Sequence, residues 1–215
     1  IDYLLIGDSY LHGACVNRPH DIASSLRNIS NKKVITLGYS STGPLVQYAT
    51  LKEYFIKNTQ NIIWFYSESN DHKNLTIELN DNILIKYLEN DNFSQNLKSK
   101  QKELNKLHKI TLEKEFNNEN KIVKLRRKAK IASFVKISRI RSEIYNFFKY
   151  KTKISIKPVT NPSLEIVMKK VKKLSNSNDI NLHFVYLPSL GRYFQNDNYD
   201  KHHESVKKIV EKLEI

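Results

Sequence analysis

The stretch "YLLIGDSYLHG", residues 3–13, joins a short apolar run to a glycine turn and then presents a serine. An apolar run of this length that ends in turn residues is typical of a buried strand. Gly7 suits the turn that follows the strand. Ser9 would therefore stand at the carboxyl end of the strand, where a serine acts as a nucleophile if a base assists it.

Three further runs, separated by helical stretches, have the character of the first run, "DYLLIG" (2–7). They are "KVITLG" (33–38), "NIIWFY" (61–66) and "LHFVYL" (182–187). We predict that all four are buried parallel strands. Helical patterns begin near Pro19, Pro44 and Pro162, and proline is favoured at the first position of a helix. This alternation predicts an α/β fold with a parallel sheet and helices on both faces.

A long helical insertion is predicted between the third and fourth strands, over about residues 75–160. Residues 121–157 hold 13 Lys and Arg against one acid, so this segment carries 13 − 1 = +12 of the net charge of +14. The basicity thus belongs to one segment, and nucleic-acid binding by the fold itself is not favoured. Two interpretations stay open, a solvated helical cap over the sheet edge and a surface for a membrane or an acidic partner.

Size and composition fit one soluble globular domain of 215 residues, with 40% hydrophobic and 27% charged residues. No apolar run approaches the roughly 18 residues that a membrane-spanning helix needs. The single Cys15 excludes an internal disulfide, and the seven histidines show no metal-site spacing. We predict neither a metal nor a cofactor.

Two more loops follow predicted strands, "GYSSTGP" at 38–44 and "SESND" at 67–71. Ligands of open parallel sheets bind at the carboxyl ends of the strands, so these loops become neighbours if the first strand lies between the second and third. A serine that attacks an ester creates an oxyanion, which needs positioned hydrogen-bond donors. The Ser9 amide, an amide of the second loop and the side-chain amide of Asn70 would supply three.

The motifs "IGDSYLHG", "GYSSTGP" and "ESND" resemble the first three sequence blocks of the SGNH hydrolases, also called the GDSL lipase/esterase superfamily. The resemblance implies a flavodoxin-like three-layer α/β/α sandwich and serine esterase or acyl-transfer chemistry. Ser9 matches the nucleophile and oxyanion donor, Asn70 matches the third-block donor, and Gly7 and Asp8 support the first loop. Ser41 stands where the family has its second-block glycine, with Gly43 two residues later, and either amide is a candidate donor.

The base of that family is a histidine in an Asp-x-x-His block, and "DKHH", Asp200–His203, is a literal match. The aspartate would orient the imidazole and the histidine would take the serine proton. The family's block, however, follows the fifth strand, whereas this match follows only the fourth. Either a shortened sheet lets His203 reach Ser9, or a fifth strand, the base and a last helix lie beyond Ile215. We expect the second.

The leading functional hypothesis is an SGNH-type serine hydrolase for small acyl esters, such as O-acetyl groups on a carbohydrate, acting through an acyl-enzyme. The alternative is a non-catalytic binding module that contacts an acidic polymer or a membrane surface through residues 121–157. Flavin binding is disfavoured, because the first loop lacks a phosphate cradle rich in Ser and Thr and Asn70 would have no role.

Overall fold

The computed structural model describes residues 1–114, 162–193 and 196–215. The chain divides into two compact units, one formed by Ile1–Asn96 with Lys157–Ile215 and the other by Leu97–Ile156. In the second unit, residues 101–114 are helical. The basic segment 121–157 and the helices predicted for it lie outside the described residues.

The first unit contains a four-stranded sheet in which every pairing is parallel. Its strands run in the spatial order β2-β1-β3-β4. They are β1 (Tyr3–Ile6), β2 (Val34–Thr36), β3 (Asn61–Ser67) and β4 (Asn181–Leu187). The predicted parallel sheet is confirmed, and β1 lies between β2 and β3, which is the condition under which the three loops become neighbours.

Helices follow each strand along the chain. They are α1 (Ser9–His12), α2 (Ile22–Ser30), α3 (Pro44–Glu53), α4 (Asp71–Glu78), α5 (Asn82–Glu89), α6 (Ser163–Asn176) and α7 (Asn196–Leu213), with a 3₁₀ turn at Leu190–Tyr193. Helix α3 begins at Pro44, as predicted. Helix α2 begins later than predicted, because Asp21 and not Pro19 starts it. The Asp21 carboxylate accepts a hydrogen bond from the Ser24 amide at 2.9 Å and caps the helix.

Apolar side chains pack on both faces of the sheet. Successive strand residues alternate between the faces, so Leu4 and Ile6 join one cluster and Leu5 joins the other. Helices α3, α5, α6 and α7 cover the first face, and α1 and α2 cover the second. This unit is therefore an α/β sandwich with helices on both sides of a parallel sheet.

Strand β4 departs from the sequence prediction, which made it a buried strand. None of its seven side chains is fully buried, whereas most of those in β1 and β3 are. Among the described residues, β4 pairs only with β3, so it forms one edge of the sheet. An apolar run alone does not distinguish an edge strand from a central one.

Residues 75–96, which the sequence analysis assigns to the insertion, belong to the first unit. Leu75 of α4 and Tyr87 of α5 are buried in its core. The Tyr87 hydroxyl donates a hydrogen bond to Glu53 of α3 at 2.6 Å. In the part of the chain that the structure describes, no helix combines the length and apolar character that crossing a membrane requires.

Candidate functional site

Ser9 is the first residue of α1, directly after the turn that ends β1. Gly7 in this turn lies so close to β3 that a Cβ atom there would be 3.0 Å from the Phe65 carbonyl oxygen. Asp8 is fully buried, and its Oδ1 accepts a hydrogen bond from the Tyr10 amide at 3.0 Å. Ser9 itself is partly exposed. The turn thus fixes the Ser9 backbone and leaves its side chain within reach of a ligand.

The second loop holds the two alternative oxyanion donors, Ser41 and Gly43. Ser41 is exposed and has a φ of 62°, in the left-handed region that favours glycine. Gly43 is buried, and its amide donates a hydrogen bond to Glu78 Oε1 at 2.5 Å. Since the Gly43 amide is already occupied, Ser41 is left as the candidate donor of this loop.

The third loop places Asn70 at the start of α4. The Ser69 hydroxyl donates to Asn70 Oδ1 at 3.4 Å, and the Asn70 carbonyl accepts the Lys73 and Asn74 amides. The Asn70 side chain is partly exposed. With Oδ1 serving as acceptor, the two Nδ2 hydrogens are those that a ligand would meet.

The first loop contacts the second directly. The Gly7 carbonyl accepts hydrogen bonds from the Tyr39 amide at 3.3 Å and from the Thr42 hydroxyl at 3.4 Å. A Cβ atom at Gly38 would lie 2.8 Å from Leu11, so the loops approach each other closely here. Because β1 lies between β2 and β3 in a parallel sheet, the three loops follow the carboxyl ends of adjacent strands and lie at the same end of the sheet.

Four carboxyl groups are buried close to these loops, those of Asp8, Glu68, Asp71 and Glu78. Burial raises the pKa of Asp71 well above its usual range, and the Asp8 carboxylate adds to the rise, although the Ser67 amide and the Gln47 side chain oppose it. Burial also raises the pKa of Glu78, against the effect of three backbone amides at the start of α3. Burial therefore favours the neutral forms of Asp71 and Glu78.

His203, the predicted base, lies on α7 and is partly exposed. Its ring makes an edge contact with the Tyr186 ring at 4.9 Å, and its Nδ1 is 3.7 Å from Glu204 Oε1. Asp200 also lies on α7, but its side chain is outside the described part of the structure. Within the described residues, no histidine nitrogen is hydrogen-bonded to the Ser9 hydroxyl.

His202 is the buried histidine of this helix. Its Nε2 lies 3.0 Å from the Tyr66 hydroxyl, and its ring centre is 5.0 Å from that of His72. Burial lowers the pKa of His202 to about 4, and the neighbouring His72 contributes to the shift. His202 is therefore a neutral imidazole at pH 7.

Glu68, at the end of β3, joins this strand to the segment that follows β4. Its buried carboxylate accepts hydrogen bonds from the Tyr186 hydroxyl (2.6 Å), the Ser189 amide (2.7 Å) and Arg192 Nη2 (2.6 Å). Burial favours the neutral acid, but these donors outweigh it and lower the pKa of Glu68. The end of β3 and the segment after β4 are thus held together by a largely buried ion pair between Glu68 and Arg192.

Sequence reasoning did not single out Glu68 or Glu78, nor the burial of Asp8 and Asp71. Glu78 follows Asp71 by seven residues, which is about two helical turns, so both side chains point to one side of α4. This spacing was the available signal for a buried acidic pair. Nothing in the sequence indicates that Glu78 binds the amides of the second loop, because that contact joins residues more than thirty positions apart.

Comparison with known proteins found no matching family model, no matching curated protein and no matching solved structure.

Proposed function

We propose that the chain is an SGNH-type serine esterase of flavodoxin-like fold that acts on small acyl esters, such as O-acetyl groups of a carbohydrate. One observation carries the proposal. Ser9 and Asn70 stand at the carboxyl ends of the adjacent parallel strands β1 and β3, with the second loop on the other side of β1. This arrangement supports the proposal, because a hydroxyl nucleophile and candidate oxyanion donors follow neighbouring strands at the same end of the sheet.

In the proposed reaction, the Ser9 hydroxyl oxygen attacks the ester carbonyl carbon and its proton passes to a base. The negative charge that forms on the carbonyl oxygen is held by the amides of Ser9 and Ser41 and by Asn70 Nδ2. The tetrahedral intermediate expels the alcohol, which takes a proton from the protonated base, and leaves an acyl-Ser9 ester. Water, or a second alcohol in a transferase, then takes the acyl group.

Asp200 and His203 stay candidates for the acid and the base, as the less favoured of the two alternatives that the sequence leaves open. The contacts of His203 with Tyr186 and Glu204 do not include Ser9, so the base role needs its own test. His203→Ala should abolish hydrolysis if His203 is the base, and His20→Ala, at an exposed histidine of the same unit, serves as the control. Equal activity in His203→Ala and the parent would exclude this assignment.

Exposed aromatic side chains near Ser9 support a small sugar or acyl substrate. Tyr10 and Tyr39 are each 59% exposed, and they follow β1 and β2 at the edge where the loops meet. His12 packs edge-on against Tyr39, with 5.4 Å between the ring centres. Exposed aromatic faces of this kind offer an apolar surface with a polar hydroxyl, which suits a sugar ring or a short acyl chain.

Hydrolysis of p-nitrophenyl acetate by the full chain tests the proposal. We expect Ser9→Ala to reduce hydrolysis to the uncatalysed background. Asn70→Ala should lower kcat by about 10²–10³-fold, the usual cost of losing one oxyanion donor. Ser177→Ala, an exposed serine of the same unit, is the matched control. Hydrolysis that is equal in the parent and in Ser9→Ala would contradict the proposal.

The binding-module alternative rests on the +12 charge of residues 121–157, which lie outside the described residues. Under this alternative, the full chain binds an anionic polymer such as heparin, and binding weakens steeply as salt is added. Ser9→Ala would then leave binding unchanged, and the parent would show no Ser9-dependent hydrolysis.

A further inference from the structure

Two fully buried carboxyl groups flank the proposed site, and each has one oxygen without a partner. Asp8 Oδ1 accepts the Tyr10 amide and Asp71 Oδ2 accepts the Ser67 amide, at 3.0 and 2.9 Å. The other two oxygens, Asp8 Oδ2 and Asp71 Oδ1, have no hydrogen-bond partner among the described residues. Buried polar atoms are almost always hydrogen-bonded, so these two need an explanation.

The sheet brings the two groups together. Ile6 of β1 is in register with Trp64 of β3, so Asp8, two residues further on, comes level with the end of β3. There the Ser67 amide binds Asp71. Of the charged groups that raise the pKa of Asp71, the Asp8 carboxylate has the largest effect.

Among the described residues, the other groups that act on Asp71 bring no positive charge. Glu78 of its own helix adds a second carboxylate, and Tyr66 of β3 keeps its phenol proton, because burial raises its pKa well above the usual value. From α3 comes the neutral Gln47, whose side-chain amide acts as a donor to Asp71 and lowers its pKa, but Asp71 Oδ1 is left without a hydrogen-bond partner among the described residues. With no cation beside them among the described residues, burial disfavours a second negative charge on this pair of carboxyl groups.

We propose that Asp8 and Asp71 share one proton, which Asp71 carries on Oδ1 and donates to Asp8 Oδ2. The pair then holds one proton and one negative charge, and both orphan oxygens are satisfied. The bond joins the residue before Ser9 to the residue after Asn70. The two aspartates thereby act as positioning residues for the nucleophile and the oxyanion donor.

The positioning role rests on the proposed function, but the shared proton does not. Its most direct test is infrared spectroscopy of the full chain with ¹³C-labelled aspartate carboxyl groups, at neutral pH. We expect a carbonyl band of a protonated aspartic acid that shifts in heavy water and is lost in Asp71→Asn. Absence of the band, or a band that survives in Asp71→Asn, would overturn the proposal.

Amide substitutions give a second test by urea unfolding. In Asp71→Asn or Asp8→Asn, the new NH₂ group can donate to the remaining carboxylate. In the double variant, both amide oxygens are needed by Ser67 and Tyr10, so two NH₂ groups face each other. If the two substitutions acted independently, the factors by which each changes the folding equilibrium constant would multiply. We expect the folding constant of the double variant to be about tenfold or more below that value. Purely additive effects would contradict the shared proton.

The pH dependence of stability gives a third readout. A folded-state pKa raised above the ordinary value of 3.8 means that the folded protein keeps a proton which the unfolded chain releases. Stability from this proton is therefore lost as pH rises above that value, by up to about tenfold in the folding constant per pH unit. Asp71→Asn should remove this slope, and the exposed control Asp179→Asn should keep it. Equal slopes in Asp71→Asn and the parent would count against the pair, whether or not the chain hydrolyses esters.

Discussion

Glu78 shows how one side chain shapes the candidate site at the scale of the residue. Helix α3 begins after Gly43, which has no side chain with which to cap it. Glu78 takes this role from α4, since its carboxylate accepts the amides of Gly43, Leu45 and Val46 at 2.5, 3.0 and 3.4 Å. It thereby fixes the end of the loop that contains Ser41.

Replacing Glu78 with Ala should lower the free energy of unfolding by about 2–4 kcal/mol, because buried amides lose their acceptor. Urea denaturation at pH 7 measures the change, with the exposed Glu89→Ala as the matched control from α5. A loss no larger than that of Glu89→Ala would show that the amides find other partners.

At the level of the secondary-structure elements, β4 is hydrogen-bonded to one neighbouring strand among the described residues, whereas β3 is hydrogen-bonded to two. The Asn181 amide donates to the Gln60 carbonyl at 3.0 Å, so odd-numbered amides of β4 point toward β3. Alternation along a strand turns the even-numbered amides of Leu182, Phe184 and Tyr186 to the outer edge. Among the described residues, these amides have no strand opposite them.

Hydrogen exchange should therefore alternate along β4. We expect the amides of Leu182, Phe184 and Tyr186 to exchange at least about tenfold faster than those of His183 and Val185. Amide-resolved exchange by NMR measures this directly. Equal protection of both sets would mean that another strand covers the outer edge of β4.

The contact of Glu68 with Arg192 joins the end of β3 to the 3₁₀ turn after β4. The pKa of Glu68 is lowered in the folded state, so the stability that this contact adds is present above the ordinary value of 4.5 and is lost as pH falls through the folded-state pKa. Arg192→Met should cost about 2–4 kcal/mol at pH 7, since it leaves a buried carboxylate without its cation.

The cost of Arg192→Met should shrink as the pH falls from 4.5 through the lower folded-state pKa of Glu68, because a protonated Glu68 no longer needs a cation. Urea unfolding at several pH values tests this. Lys169→Met, which removes an exposed ion pair with Glu165, is the control and should change stability little at any pH. A cost for Arg192→Met that does not depend on pH would contradict the role given to Glu68.

The elements themselves were largely predictable from the sequence. Apolar runs identified the four strands, and Pro44 identified the start of α3, because these signals are local. Strand burial was predicted wrongly for β4, since the pattern does not show which strands lie at an edge. Likewise the three loops were found from their motifs, whereas the Glu78 contact that occupies the Gly43 amide depends on tertiary packing.

At the level of the whole sheet, the order of the strands brings the three loops of the candidate site together. Three loops that follow strands some thirty residues apart leave one edge of the sheet, because β1 is inserted between β2 and β3. An order that separated β1 from β3 would leave Ser9 and Asn70 apart, whatever their motifs. The proposal therefore depends on the topology as much as on the residues.

Covalent labelling with a fluorophosphonate probe, followed by mass spectrometry of the peptides, shows whether Ser9 is an activated nucleophile. The probe reacts with an activated serine by forming a phosphorus–oxygen bond and releasing fluoride. We predict one labelled site, at Ser9, with labelling lost in Ser9→Ala and retained in the control Ser177→Ala. An unlabelled Ser9 in the full chain, or equal labelling of Ser9→Ala, would contradict the account.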